Sequence, residues 1–179
     1  MEWLNPPAAW EASGDALVVT ASARTDFWRK THYGFIRDNG HFYHQPVTGD
    51  FVAEVEVSGD YRTLYDQAGL MVRVDEVTWM KCGVELVDGV QQASVVVTRD
   101  YSDWSVVPLP ANPSSTRVRV IRKGQDLEVH HSLGGEGWVP IRTAHLPAPG
   151  PTVRVGMMCA SPDGDGFRAR FTGYVVRQA

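Results

Sequence analysis

The chain is expected to fold as an all-β sandwich or jelly roll of two antiparallel sheets, with about a dozen strands and little or no helix. Three observations carry that expectation. Apolar and polar residues alternate with period two along most of the sequence, turn residues recur at short intervals, and no window shows the 3.6-residue periodicity of an amphipathic helix. The chain is 179 residues long. With no break in composition and no internal repeat, residues 1–179 read as a single domain.

The individual elements follow from that alternation. Phe51, Ala53, Val55 and Val57 alternate with Val52, Glu54 and Glu56. Val118 and Val120 alternate with Arg117 and Arg119, and Val153, Val155, Met157 and Cys159 with Arg154, Gly156 and Met158. Each pattern describes a half-buried antiparallel strand. Turns are marked by Ser13-Gly14-Asp15, Asp38-Asn39-Gly40, Thr48-Gly49-Asp50, Ser58-Gly59-Asp60, Lys123-Gly124-Gln125, Gly134-Gly135-Glu136-Gly137 and Asp163-Gly164-Asp165-Gly166. The stretches Pro108 to Pro113 and Pro147 to Pro151 read as loops between strands. The last run, Phe167 to Val176, is a long alternating strand expected to pair centrally or beside the first strands.

One segment allows the register to be counted. Asp88-Gly89, flanked by alternating apolar residues, signals a two-residue type I′ hairpin. Val87 then faces Val90, and the ladder runs back through Glu85 with Gln92, Gly83 with Ser94, Lys81 with Val96 and Trp79 with Thr98. The opposite face carries Val84 with Ala93, Cys82 with Val95 and Met80 with Val97, all small or apolar, so that face packs on the core. The preceding strand alternates Ala68, Leu70, Val72 and Val74 with Gln67, Gly69, Met71 and Arg73. A loop at Glu76 to Thr78 would set Asp75 opposite Trp79, Arg73 opposite Lys81, Met71 opposite Gly83 and Gly69 opposite Glu85. The outer surface would then be a groove floored by Gly69, Gly83 and Ser94. Arg73 and Lys81 would face one another across it as like charges in need of a counter-charge.

Composition excludes several function classes. A formal net charge of −4, with arginines scattered along strands, argues against a nucleic-acid surface. No run approaches the ~18 apolar residues of a membrane span. The first fifteen residues, with an acid second and no basic cluster, do not read as a signal peptide, so a cytoplasmic protein is expected. The two cysteines, Cys82 and Cys159, are in phase with apolar neighbours and read as small buried hydrophobes.

Four blocks carry a family resemblance: Thr25-Asp26-Phe27-Trp28, His32 to Phe42, Tyr65 to Arg73, and Trp79 to Glu85. In order and spacing they resemble the regulation-of-enolase family of concanavalin A-like proteins, whose biochemical activity is undefined. The second pair of blocks is also similar to the concanavalin A-like module appended to some β-xylosidases. The resemblance covers nearly the whole chain. It implies a concanavalin A-like jelly-roll sandwich with a concave sheet of the kind that binds sugars in related folds, and it implies no particular reaction.

Candidate chemistry is correspondingly weighted toward binding. Glu54 and Glu56 share a strand face but lack the third acid of the glucanase cluster, and read as a charged outer strand. Glu85 with Asp66 or Asp75 is a second carboxylate pair, equally readable as ion pairing for Arg73 and Lys81. His41 and His44, three apart on a strand, point to opposite faces and cannot easily share an ion, and His130-His131 splits in the same way. No metal or other cofactor is expected. Asp163-Gly164-Asp165-Gly166 lacks the spaced ligands and distal Glu of a calcium loop and reads as a turn. The aromatics Trp28, Tyr33, Tyr65, Trp79 and Tyr101 lie beside polar residues, the pairing a sugar ring needs for stacking and hydroxyl bonding. Trp104, in phase with Val106, reads as core.

The leading expectation is a non-catalytic domain binding a carbohydrate or similar polar small molecule on the concave sheet. Trp79 would stack, and Arg73 and Lys81 would bind an anionic or hydroxyl group. Asp66, Gln67 and Glu85 would orient the ligand, and Trp28 or Tyr33 would close the groove. The alternatives are a glycoside-acting enzyme using Glu85 and an Asp, and a regulatory module binding a protein partner of unknown identity.

Overall fold

In a computed structural model that describes residues 1–135 and 137–179, the described residues form sixteen strands and contain no helix. The first five strands are β1 (Glu2–Leu4), β2 (Ala9–Ser13), β3 (Ala16–Thr20), β4 (Phe27–Arg29) and β5 (Ile36–Asp38). Then come β6 (His41–Thr48), β7 (Phe51–Gly59), β8 (Gln67–Arg73), β9 (Thr78–Val87), β10 (Val90–Arg99) and β11 (Tyr101–Pro108). The last are β12 (Thr116–Lys123), β13 (Asp126–Ser132), β14 (Val139–His145), β15 (Thr152–Ala160) and β16 (Arg168–Gln178). The excess over the dozen expected comes from short edge and loop strands such as β1, β4 and β5. Of the expected turns, Gly134-Gly135-Glu136-Gly137 includes Glu136, which lies outside the described residues.

The strands form a concanavalin A-like jelly-roll sandwich. One sheet has the order β1-β6-β15-β8-β9-β10-β11 and the other β14-β13-β12-β7-β16-β3-β2, with neighbouring strands antiparallel throughout. The apolar phase of each pattern turns inward. Ala68, Leu70 and Val72 of β8, Met80, Cys82 and Val84 of β9 and Val155 of β15 meet Phe51, Ala53 and Val55 of β7, Val120 of β12 and Phe171 of β16 in one core. The end strand β16 sits between β7 and β3, as its length and alternation predict. Both cysteines are free in this core, and burial pushes the Cys82 thiol up to about 12.

The β9–β10 hairpin has the expected pairing from Val87↔Val90 to Trp79↔Thr98, with positive φ at Asp88 (50°) and Gly89 (79°) as a type I′ turn demands. The β8–β9 pairing differs. Arg73 faces Trp79, Met71 faces Lys81, Gly69 faces Gly83 and Gln67 faces Glu85. The ladder has slid by two residues because the three-residue loop is Asp75 to Val77, one residue earlier than expected. Val74 N–H donates to the Thr78 carbonyl (3.0 Å), Val77 N–H to Asp75 Oδ1 (2.9 Å) and Asp100 N–H to the Val77 carbonyl (2.8 Å). A slip of two keeps every side chain on its predicted face while changing its partner. Arg73 and Lys81 are therefore not directly opposed.

The slide brings Gly69 and Gly83 face to face. A Cβ on Gly69 would run into the Cys82 carbonyl and lie 2.5 Å from the Gly83 Cα, so both positions exclude a side chain. The glycine floor thus exists, with Ser94 continuing it across β10.

Over this outer face lies a flap, residues 24–40, containing the two-stranded β4–β5 hairpin. Phe27 from the flap packs with Phe42, Met71, Trp79, Val96 and Met158 into a second, smaller core on the far side of the sheet from the first. Charges fasten the flap as well. Arg73 makes a bidentate pair with Asp38 (2.6 and 2.7 Å), Lys81 pairs with Asp26 (3.0 Å), and Asp100 takes Arg29 and Lys30 (2.9 and 2.6 Å).

Candidate functional site

Where the flap stops short of the sheet edge, a cavity of about 230 Å³ opens. That is slightly below the ~300–1,000 Å³ of most small-molecule sites and suits a compact ligand. Strand β9 supplies its two polar anchors. Lys81 and Glu85 stand on the same face of β9, four residues apart, and both line the cavity. Gln67, opposite Glu85 on β8, lies beside it and donates Nε2–H to the Tyr65 carbonyl (3.1 Å). The flap contributes Asp26, Trp28, Tyr33, Phe35 and Arg37, and the loops before β8 and after β15 add Tyr65, Pro162 and Asp163. Trp104 of β11 completes the wall.

The rings are mutually braced. Tyr33 stacks on Phe35 (centroids 5.3 Å apart), the Arg37 guanidinium lies 4.6 Å over Phe35, and Trp28 meets Tyr33 edge-on at 5.9 Å. Trp28 Nε1–H donates to the Thr31 carbonyl (3.0 Å), which fixes the indole. The Tyr33 and Tyr65 hydroxyls meet at 3.3 Å, tying the flap to the β7–β8 loop. That hydrogen bond, with partial burial, pushes the Tyr65 phenol up to about 12.

Both anchors are buried. Lys81 is 3 % exposed and donates to Asp26 Oδ1, the oxygen that also accepts Phe27 N–H (2.7 Å). Glu85 is 5 % exposed, and its Oε2 accepts from Ser94 Oγ (2.6 Å) and Trp104 Nε1 (2.9 Å). Burial raises the Glu85 carboxyl above its ordinary range, an effect opposed by the Lys81 charge and by these two donors. A carboxylate acceptor and an ammonium donor at the two ends of an apolar-walled hollow can bind hydroxyl groups that donate at one end and accept at the other.

The structure brings Trp28, Tyr33, Gln67, Lys81 and Glu85 together at this cavity and leaves three other sequence candidates outside it. Trp79 is fully buried in the second core, because the outward face it occupies is itself covered by the flap. Arg73 is consumed by Asp38 beneath the same cover. Asp66 is a structural staple: Oδ2 accepts Arg62 and Thr63 N–H (2.9 Å each) and Oδ1 accepts Ser161 Oγ (2.6 Å). Trp104 is the reverse case. It shares a face with Val106, but that face is the outer one, since Trp104 pairs with Val96 and Val106 with Ser94. Carrying the count from Glu85 through β10 across the tight Asp100 turn (φ 64°) would have found it. Asp26, Phe35, Arg37 and Asp163 reach the cavity only through long-range folding.

Glu54 and His41 have structural partners. Glu54 is held by Arg119 (2.7 Å) and Arg117 (3.6 Å) on the other sheet, with Trp138 stacked against both arginines, as a charged outer strand would be. His41 accepts Ser22 N–H at Nε2 (2.9 Å) and bonds the Asn5 carbonyl through Nδ1 (2.7 Å). Burial lowers its pKa. Among the described residues no group of three or more His, Cys, Asp or Glu is placed to hold a metal.

Comparison with known proteins agrees with this architecture. Residues 3–179 match the family described as "Protein of unknown function (DUF1349)". "Regulation of enolase protein 1" of Saccharomyces cerevisiae is 36% identical over 170 residues, covering 95% of this chain and 85% of that protein. A solved structure described as a functionally unknown protein from Saccharomyces cerevisiae superposes with a TM-score of 0.94 at 35% identity, over 99% of this chain and 96% of the other. The carbohydrate binding module CBM66 from Bacillus subtilis gives 0.63 at 11% identity, over 98% and 95% of the two chains. GH43B of the Bacteroides ovatus xyloglucan locus gives 0.73 at 17%, over 95% of this chain and 34% of that one. The last two likenesses are of fold alone.

Proposed function

The chain belongs to the DUF1349 family, and on that premise we propose that it is a non-catalytic binding protein for a saccharide or similar polyol, held in the cavity between the flap and β9. The observation that carries the reading is the pairing of braced rings with buried polar anchors in one cavity. Trp28, Tyr65 and Trp104 offer apolar faces to the C–H side of a ring, while Glu85 and Gln67 accept and Lys81 donates to its hydroxyls. An anionic ligand is disfavoured, because Asp26 already neutralises Lys81 and two further carboxylates, Glu85 and Asp163, line the space. The fold likeness to a carbohydrate binding module supports the same reading.

Titration calorimetry against a panel of neutral, amino and acidic monosaccharides tests it. Binding is expected, and Trp104→Ala should weaken it about tenfold, or ~1.4 kcal/mol, by removing a stacking wall. No heat across the panel, or affinity unchanged in Trp104→Ala, would overturn the proposal.

An enzymatic reading is favoured by one observation only: the raised Glu85 carboxyl shares the cavity with Asp26 and Asp163. It requires turnover of an activated glycoside that Glu85→Gln abolishes while the fold persists.

A further inference from the structure

Glu85 is the anchor whose charge has no direct counter-ion. Lys81 is taken by Asp26 and Arg73 by Asp38, whereas no ion pair among the described residues involves Glu85. Its two hydrogen bonds, from Ser94 Oγ and Trp104 Nε1, are neutral and both fall on Oε2. Oε1 has no hydrogen-bond partner among the described residues and belongs to a side chain that lines the cavity. Asp66, the other buried carboxylate without a cation, differs in using both oxygens internally. A nearly buried carboxylate with one open oxygen costs free energy until a cation or donor reaches it.

The surroundings fit a cation. Tyr65 and Trp104 stand edge to face at 6.2 Å beside Glu85, and the cavity walls hold Trp28, Tyr33 and Phe35 besides. Ring faces attract an ammonium and have no such pull on a hydroxyl. Formal charges in the lining are Asp26, Glu85 and Asp163 against Lys81 and Arg37, one negative charge in excess. Lys81 lowers the Glu85 carboxyl through space only, because its ammonium is bonded to Asp26.

Resting on the saccharide reading above, we infer that the ligand carries an ammonium group, as an amino sugar does, and that this group is received by Glu85 Oε1 against the rings of Tyr65 and Trp104. The hydroxyls of the same ring then extend through the cavity toward Lys81.

The test compares isosteric ligands on the intact protein: D-glucosamine with D-glucose, D-galactosamine with D-galactose, and choline as an ammonium without a sugar ring, by titration calorimetry near neutral pH. An amino sugar is expected to bind at least about tenfold tighter than its hydroxyl counterpart, the scale separating a charge-assisted hydrogen bond from a neutral one. Glu85→Gln should erase that ratio, the two sugars of each pair then binding within about twofold of one another. The wild-type ratio is decisive even if the variant fails to fold. Equal affinities within a pair, or a ratio that survives in Glu85→Gln, would overturn the inference and leave the saccharide reading standing. Binding of choline with no response to any sugar would do the opposite, and silence from all five ligands would overturn both.

Discussion

Trp79 makes a sharp test of the flap, because its strand parity directs it outward and the fold nonetheless seals it in. It is fully buried among Phe27, Phe42, Met71, Val96 and Met158, with the Phe27 ring edge-on at 6.2 Å and Lys81 Nζ 5.9 Å from its own ring centroid. Trp79→Ala removes the largest side chain of this second core and should cost ~3–5 kcal/mol through lost burial and the cavity left behind. For a chain of this length that lowers Tm by roughly 10 °C. Trp79→Phe behaves differently, since the indole Nε1 is buried without a partner and its removal returns ~1–3 kcal/mol of desolvation against the lost packing. Its net cost should stay below about 1.5 kcal/mol. Urea denaturation of the three proteins measures both values. Limited proteolysis should show cleavage within residues 24–40 appearing first in the Ala variant, because Phe27 loses its seat there. An Ala variant within about 1 kcal/mol of the parent, or a Phe variant worse than Ala, would refute the claim that the flap rests on a packed second core.

Further expectations concern the floor, the buried acid and the last strand. Gly69→Ala should destabilise by ~1–3 kcal/mol because its Cβ meets backbone, whereas Gly150→Ala, with open space around it, should be neutral or slightly stabilising; equal thermal melts would contradict this. Glu85 binds its proton more tightly when folded than the ordinary carboxyl near 4.5, so the folded state holds more protons and stability falls as pH rises from 4.5 through the raised value. Glu85→Gln should remove that fall, its Tm relative to the parent rising with pH, and a difference independent of pH between 4 and 8 would count against it. Deleting Phe167 onward takes β16 from between β7 and β3 and opens the core, so the shortened chain should be insoluble; a soluble, cooperatively melting product would show that β16 is dispensable.

The legibility of the site was limited by what period-two patterning can encode. Alternation assigns each residue of β8, β9 and β10 to a face, and those assignments hold in the structure. It fixes a register only modulo two residues, so turn chemistry must supply the remainder. Asp88-Gly89 demands a particular two-residue turn and fixed its hairpin outright. Asp75-Glu76-Val77 carries no comparable demand, and the pairing slid by two there, replacing an Arg73–Lys81 confrontation with a Gly69–Gly83 floor. The position of Trp104 escapes local patterning for a related reason: parity with Val106 says that the two share a face, and only continuity through β10 says which one.

The sequence by itself determined the all-β class, the inner faces of the central strands, the central place of β16 and the presence of Lys81, Gly83 and Glu85 on one outward face. These are local properties, set by alternation and turn chemistry over a few residues. Which part of that outward face is a site was decided by tertiary structure alone. The flap covers Arg73 and Trp79, pairs the two cations with Asp38 and Asp26, and leaves Glu85 open beneath Trp104 and Tyr65. Contacts between residues 24–40 and strands some tens of residues distant leave no periodic trace in either partner, so covered and open positions of one sheet face read alike until the chain is folded.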